Sequence, residues 1–259
     1  MFGIPGSPHM PHLPPIWREG RTALELAALV RDPVFRSVDE DAGGSRPVML
    51  VPGFLAGDGS LGVMTGWLRR QGYRTRRAGM RFNVACSATA LAAIEQRAEE
   101  LAAIYGEPVT VIGQSRGGTL ARALAVRRPE LLRGIVALGS PQIDPLAVHP
   151  LVLAQVGVVG ALGTLGVPGL FTDRCLNGDC CADFRESFER PFPERVGYVS
   201  IYSRSDGIVD WHSCLDPAAE HVEVSASHIG MAVHAGTYCA IAAALRSFAP
   251  SADRAALAA

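Results

Sequence analysis

Short apolar runs alternate along this chain with longer stretches whose apolar residues recur at helical spacing. Residues 47–51, 109–112, 134–138, 197–202 and 221–224 read as strands, and Gly72-Tyr73-Arg74-Thr75 opens another. Residues 61–71, 89–105, 119–127 and 241–248 read as helices, as does 17–30 ahead of the first strand. Pro52-Gly53, Arg128-Pro129, Gly139-Ser140-Pro141 and Ser205-Asp206-Gly207 punctuate them. Strands apolar on both faces must be covered on both faces. Their alternation with helices predicts an α/β architecture, a doubly wound and mostly parallel sheet. Residues 1–46 are expected to form an N-terminal segment with one helix, and 47–259 the α/β domain. The tail after Pro250 is expected to fray, and no internal repeat is visible.

The alternation breaks at about 144–192, which predicts an insertion between two strands. From 145 to 172 there is no charged residue, His149 aside. That length could span a bilayer, but a span placed between two strands of one sheet would pull the fold apart. Gly157, Gly160, Gly163, Gly166 and Gly169 also recur every third residue. Each interior Gly costs a helix about 1 kcal/mol relative to Ala. No integral membrane span and no continuous rigid helix are therefore expected. The favoured expectation is a cap of short helices packed over the sheet. The alternative is a mobile lid whose apolar inner face lines an acyl pocket.

Composition narrows the picture further. The 259 residues are 48% apolar, enough for one large domain with a substantial core. A formal net charge of −1 argues against a nucleic-acid partner. All 24 basic residues are arginine, which excludes Schiff-base or P-loop lysine chemistry. Residues 1–16 lack the charged start and apolar core of a signal peptide. A cytoplasmic protein is the expectation, with a mature secreted form as the alternative. Six cysteines are present, but no C-x-x-C pair and no histidine at finger spacing, so no zinc site is expected. Cys181 with Cys214 is the pair suggested for one loop-pinning disulfide, and Cys86 and Cys239 are expected as buried thiols.

Candidate chemistry lies at the strand ends. The strand at 109–112 breaks at Gly113-Gln114-Ser115-Arg116-Gly117, and a helix follows at once. A serine at such a sharp turn presents its hydroxyl to a cleft, and the flanking glycines allow the tight turn. A serine hydroxyl becomes a competent nucleophile when a base accepts its proton, and the base needs an orienting carboxylate. Asp206 follows the strand at 197–202, and His228 follows the strand at 221–224. In a doubly wound sheet all three would emerge at the carboxyl edge, where ligands collect. Asp210 is the alternative acid, less favoured than Asp206. His9, His12, His149, His212, His221 and His234 are the other histidines, and none follows a strand in this way. Two backbone donors for a developing oxyanion would be the N–H of Arg116 and, from the loop after the first core strand, that of Phe54. The Arg116 side chain is expected to pair with a nearby acid; reaching a carboxylate on the substrate is the less favoured role.

These motifs resemble the α/β-hydrolase superfamily in its bacterial lipase/esterase branch, over roughly 47–244. The carriers are GQSRG at 113–117, PGF at 52–54, SDGIV at 205–209 and SHIGM at 227–231. Pro52 stands where many members have His, and Arg116 where an uncharged or His side chain is frequent. The resemblance implies nucleophile Ser115, acid Asp206, base His228 and oxyanion donors Phe54 and Arg116. It implies hydrolysis of a small-molecule or lipid carboxylic ester through an acyl-enzyme, with no metal or organic cofactor required. An acyltransferase, thioesterase or other triad-based hydrolase is the alternative, and a non-catalytic binding protein on the same scaffold a third. Acyl length and oligomeric state are left open.

Overall fold

The computed structural model describes residues 14–249. Six strands form one sheet: β1 (Pro47–Val51), β2 (Arg74–Arg77), β3 (Val109–Gln114), β4 (Leu132–Leu138), β5 (Gly197–Tyr202) and β6 (Glu220–Glu223). Their order is β2-β1-β3-β4-β5-β6, and every pairing is parallel. The helices are α1 (Thr22–Leu29), α2 (Pro33–Arg36), α3 (Gly62–Arg70), α4 (Ser87–Tyr105), α5 (Arg116–Arg127), α6 (Pro150–Thr164), α7 (Arg174–Asn177), α8 (Ala182–Glu189) and α9 (Ala235–Ser247).

The two-residue period of a strand explains the unbroken apolar runs. Val48 and Leu50 of β1, Ile112 of β3 and Val136 and Leu138 of β4 face a core built with Leu29, Trp67, Leu68, Tyr238 and Ile241, from α1, α3 and α9. The intervening Met49, Val51, Val111, Ile135 and Ala137 face a second core with Leu91, Ile94, Leu120 and Leu124, from α4 and α5. Both faces are thus covered, and the sheet is doubly wound. The two edge strands are polar instead. Arg74, Arg76 and Arg77 of β2 are exposed, as are Glu220 and Glu223 of β6. Charged edges discourage further strand pairing.

Several helices differ from expectation: α5 and α9 begin earlier, at Arg116 and Ala235, and the N-terminal segment holds α1 and α2 rather than one helix. The stretch at 17–30 begins as a 3₁₀ turn, Ile16–Arg21, before α1. The insertion carries separate helices, α7 and α8 after α6, as expected; α6 is the longest and ends at Thr164, ahead of Gly166 and Gly169, which both have positive φ. Its glycines serve close packing. A Cβ on Gly163 would lie 2.1 Å from the Phe171 carbonyl oxygen, and one on Gly160 would lie 2.7 Å from Asp173 Oδ1. The propensity cost is offset by tight apposition of the returning chain. Among the described residues, no helix is long and apolar enough to cross a membrane. The tail after Pro250, together with His9 and His12, lies outside the described residues.

Candidate functional site

Strand order reverses at β1, which has β2 on one side and β3 on the other. The carboxyl ends of β1 and β3 therefore border the crevice where ligands bind in open α/β sheets. Ser115 leaves β3 there with φ 52° and ψ −124°, a conformation disfavoured for any residue with a Cβ. The turn is held open by nothing larger than hydrogen at its flanks. A Cβ on Gly113 would come within 2.4 Å of the Gly117 backbone, and one on Gly117 within 2.2 Å of the Val51 carbonyl oxygen. The Ser115 N–H donates to the Leu138 carbonyl at 2.8 Å, fastening the turn to β4.

The histidine and aspartate meet as the strand ends predict. His228 Nδ1 lies 2.7 Å from Asp206 Oδ2, with both side chains buried. The second oxygen, Asp206 Oδ1, accepts the N–H groups of Ile208 at 2.8 Å and Val209 at 2.7 Å. Together with the His228 contact, these hydrogen bonds hold the buried carboxylate in one orientation. Burial disfavours charging His228, but the Asp206 carboxylate, its hydrogen bond and Glu19 outweigh that and raise the imidazole pKa above its ordinary 6.5. Gln114, just before the serine, donates to the His228 carbonyl at 3.0 Å and links the two loops. Asp210 sits apart: it caps the Trp211–Cys214 turn, accepts from the His212 N–H, and contacts the His212 ring at 2.7 Å. The His149 side chain caps α6, His234 stands at the N-cap position of α9 without a side-chain cap, and His221 contacts the Asp216 carbonyl.

Two glutamates from the N-terminal segment brace this pair, and no strand-end pattern points to them. Glu19 Oε1 accepts from the N–H groups of Gly207 and His228, each at 2.9 Å, and Oε2 accepts from Ile229 at 2.8 Å. One carboxylate therefore bridges the loop carrying Asp206 and the loop carrying His228. Glu25 accepts from the Ser227 N–H at 2.8 Å and hydroxyl at 2.6 Å, and pairs with Arg21 at 3.1 Å. Hydrogen bonds to a charged acceptor each contribute about 1.5–3 kcal/mol. The only local signal in the sequence is a pair of glutamates, with Arg18 and Arg21 beside them, on an amphipathic stretch.

On the other side of Ser115 lies the loop after β1. A Cβ on Gly53 would stand 3.2 Å from the Ser115 Cβ, so the Gly53-Phe54 backbone runs alongside the serine. The Arg116 N–H belongs to the first turn of α5, where helix N–H groups lack intrahelical acceptors. The Arg116 side chain corrects the expected pairing with an acid. It donates to the Asn83 carbonyl and Oδ1, each at 2.9 Å, to the Ala85 carbonyl at 2.6 Å and to the Ser87 hydroxyl at 3.2 Å. Burial lowers its pKa to about 10, and nearby thiols act against that shift. Asn83 also donates to the Pro52 carbonyl at 2.8 Å, so one buried amide ties both donor loops together.

Phe54 packs against Phe171 of the insertion, ring centroids 6.2 Å apart. Val84, Val156, Val159 and Leu170 complete this apolar cluster. The opposite face of α6 leaves Leu151, Val158 and Leu162 exposed. The cysteines depart from the suggested pairing. Cys181 faces Cys86 at 3.3 Å rather than Cys214, whose buried thiol burial pushes well up. Cys239 is exposed and Cys86 half-buried, so neither is a fully buried thiol.

A parallel, doubly wound sheet with a serine turn after β3, and with an aspartate and a histidine in the segments after β5 and β6, is the α/β-hydrolase fold. Solved structures agree. The metagenomic carboxyl esterase MGS0156 is similar over 95% of this chain and 95% of its own, with TM-score 0.60 and 16% identity. The mature lipase BlEst2 of Bacillus licheniformis is similar over 83% of this chain and 96% of its own, with TM-score 0.58 and 15% identity. A soluble variant of monoglyceride lipase from Saccharomyces cerevisiae, in complex with a substrate analog, is similar over 80% and 88%, with TM-score 0.58 and 14% identity. No protein-family profile matches the chain.

Proposed function

We propose that this chain is a serine carboxylic-ester hydrolase working through Ser115, His228 and Asp206. The observation that carries the reading is the 2.7 Å Asp206–His228 pair on the same sheet edge as a serine held at φ 52°. His228 takes the Ser115 proton as Oγ attacks the ester carbonyl. The Phe54 and Arg116 N–H groups hold the oxyanion. His228 then protonates the leaving alcohol, and water, activated by the same imidazole, hydrolyses the acyl-enzyme. Asp206 fixes the tautomer and stabilises the imidazolium. The cluster around Phe54, Val159 and Phe171 receives the acyl chain, which favours apolar acyl groups.

The test is a p-nitrophenyl ester series, acetate to palmitate, run beside labelling with an organophosphonate. Turnover with one adduct on Ser115 is expected. An adduct without turnover would move the reaction to another acyl donor or acceptor, such as a thioester. The absence of both adduct and turnover would overturn the proposal.

The pH profile carries a signed expectation. Protonated His228 cannot accept the serine proton, so kcat/KM is lost as pH falls through the imidazole pKa. Because that pKa is raised, the acid limb should lie above 6.5. Glu19→Gln removes one of the charges that raise it and loosens both loops. The limb should move toward lower pH while kcat falls about 10- to 100-fold, an effect of about 1.4–2.7 kcal/mol on the barrier. A fall in kcat with an unmoved limb would leave Glu19 a structural brace only.

A further inference from the structure

Four thiols from two distant parts of the chain converge beside the apolar cluster. Cys86 precedes the first turn of α4. Cys175 lies in α7, and Cys180 and Cys181 lie in the short turn after it, within the insertion. All four sulfur atoms lie within 4.8 Å of one another. Cys86 and Cys181 are 3.3 Å apart, and Cys180 and Cys181 are 3.9 Å apart. Four thiolates about 2.3 Å from a tetrahedral zinc ion stand roughly 3.8 Å from each other, so this group needs only small adjustments to close on one.

The surroundings suit such an ion. The Thr172 N–H points at Cys175 Sγ at 3.4 Å, the kind of donor that orients a thiolate ligand. The Arg116 guanidinium lies within electrostatic reach of Cys181, Cys86 and Cys175. Its hydrogen bonds among the described residues all go to neutral acceptors. A zinc ion with four thiolates carries two net negative charges, and a cation held beside it without a carboxylate partner offsets one of them.

We infer that Cys86, Cys175, Cys180 and Cys181 hold one Zn²⁺ in a closed, tetrahedral structural site. Binding involves no oxidation: the metal replaces the thiol protons, which pass to solvent. The site cross-links the insertion to the start of α4, next to the loop that holds Arg116. It would anchor one end of the cap, which disfavours a lid that swings free at that end. Spacing rules miss the site because three ligands lack the C-x-x-C pattern and the fourth lies far upstream.

Metal analysis of protein purified under reducing conditions and supplied with zinc tests the inference, together with cobalt(II) reconstitution. One zinc per chain is expected. The cobalt form should show thiolate-to-metal charge transfer and the intense visible bands of a tetrahedral ion. Cys86→Ser and Cys180→Ser should each lose the metal equivalent, whereas Cys239→Ser should retain it. Because the Cys180 side chain is exposed, its variant removes a ligand without opening the core. Cobalt spectra of the unmodified chain decide the matter should both variants fail to fold. Zinc-supplied protein with no bound metal in native mass spectrometry would overturn the inference. So would iron in place of zinc, or an intact mass four hydrogens below the fully reduced chain, which would mean two disulfides.

Discussion

Ser115→Ala will lower ester turnover by about 10⁴- to 10⁶-fold, the range seen when a nucleophile acting as part of a unit is removed. Its fold and melting temperature will stay at those of the parent, because alanine keeps the Cβ and therefore the strained turn. Ser115→Gly separates the two consequences. It will be as inactive as the alanine variant but more stable. A non-glycine residue at φ 52° costs about 1–3 kcal/mol. Part of that relief is offset by the larger unfolded-state entropy of glycine, about 0.5–1 kcal/mol. A net gain of about 1 kcal/mol corresponds to a melting temperature roughly 2–4 °C higher. Activity assays beside thermal melts of the three proteins check both parts. Turnover by Ser115→Ala free of parent enzyme would sink the assignment of the nucleophile. A glycine variant no more stable than the alanine one would show that the turn is not strained.

The second large effect separates two aspartates four residues apart. Asp206→Asn will cost about 10⁴-fold in kcat, since an amide opposite Nδ1 favours the wrong imidazole tautomer. It also removes the charge that holds the histidine pKa up, so the little remaining activity should extend to lower pH. Asp210→Asn will leave turnover close to that of the parent. Its side chain caps a short turn and meets His212, so its cost is one of stability, about 1 kcal/mol at most for a cap that asparagine also provides. Steady-state kinetics of the two variants, each checked for fold, give the comparison. A larger loss at Asp210 would transfer the acid role to it.

What could be read from the chain follows a simple physical division. That Ser115, Asp206 and His228 share one sheet edge was legible because each lies in the segment leaving a strand, and parallel strands bring their carboxyl ends to one edge. The apolar runs at β1, β3 and β4 gave the sheet for the same reason, since a strand buried on both faces has no polar face to hide. Partners reached through tertiary packing left no such mark. Glu19 and Asn83 act on backbone groups far along the chain, and no spacing links them to the loops they hold. Arg116 was paired on charge alone, yet carbonyl oxygens and the Asn83 amide fill its coordination. A continuous helix through 145–172 was discounted because interior glycine is unfavourable, and α6 does stop at Thr164, yet it keeps Gly160 and Gly163 inside it. The close approach of Phe171 makes glycine the residue that fits. The fold sets Cys181 against Cys86 instead of the suggested Cys214, a contact between segments 95 residues apart that no local pattern marks.

The bridge made by Glu19 has a thermal corollary. The loops carrying Asp206 and His228 are fastened to each other by a short stretch near the start of the described chain, outside the six-stranded sheet. Such peripheral pieces open locally at free energies well below that of global unfolding. An opening free energy of about 1.4 kcal/mol would leave roughly one molecule in eleven with the fastening undone. As temperature rises, that fraction should grow before any strand separates. Heat would then silence the protein in two stages, the first reversible on cooling and invisible to circular dichroism of the sheet. Amide exchange at Gly207, His228 and Ile229, whose protons Glu19 accepts, would report the first stage directly.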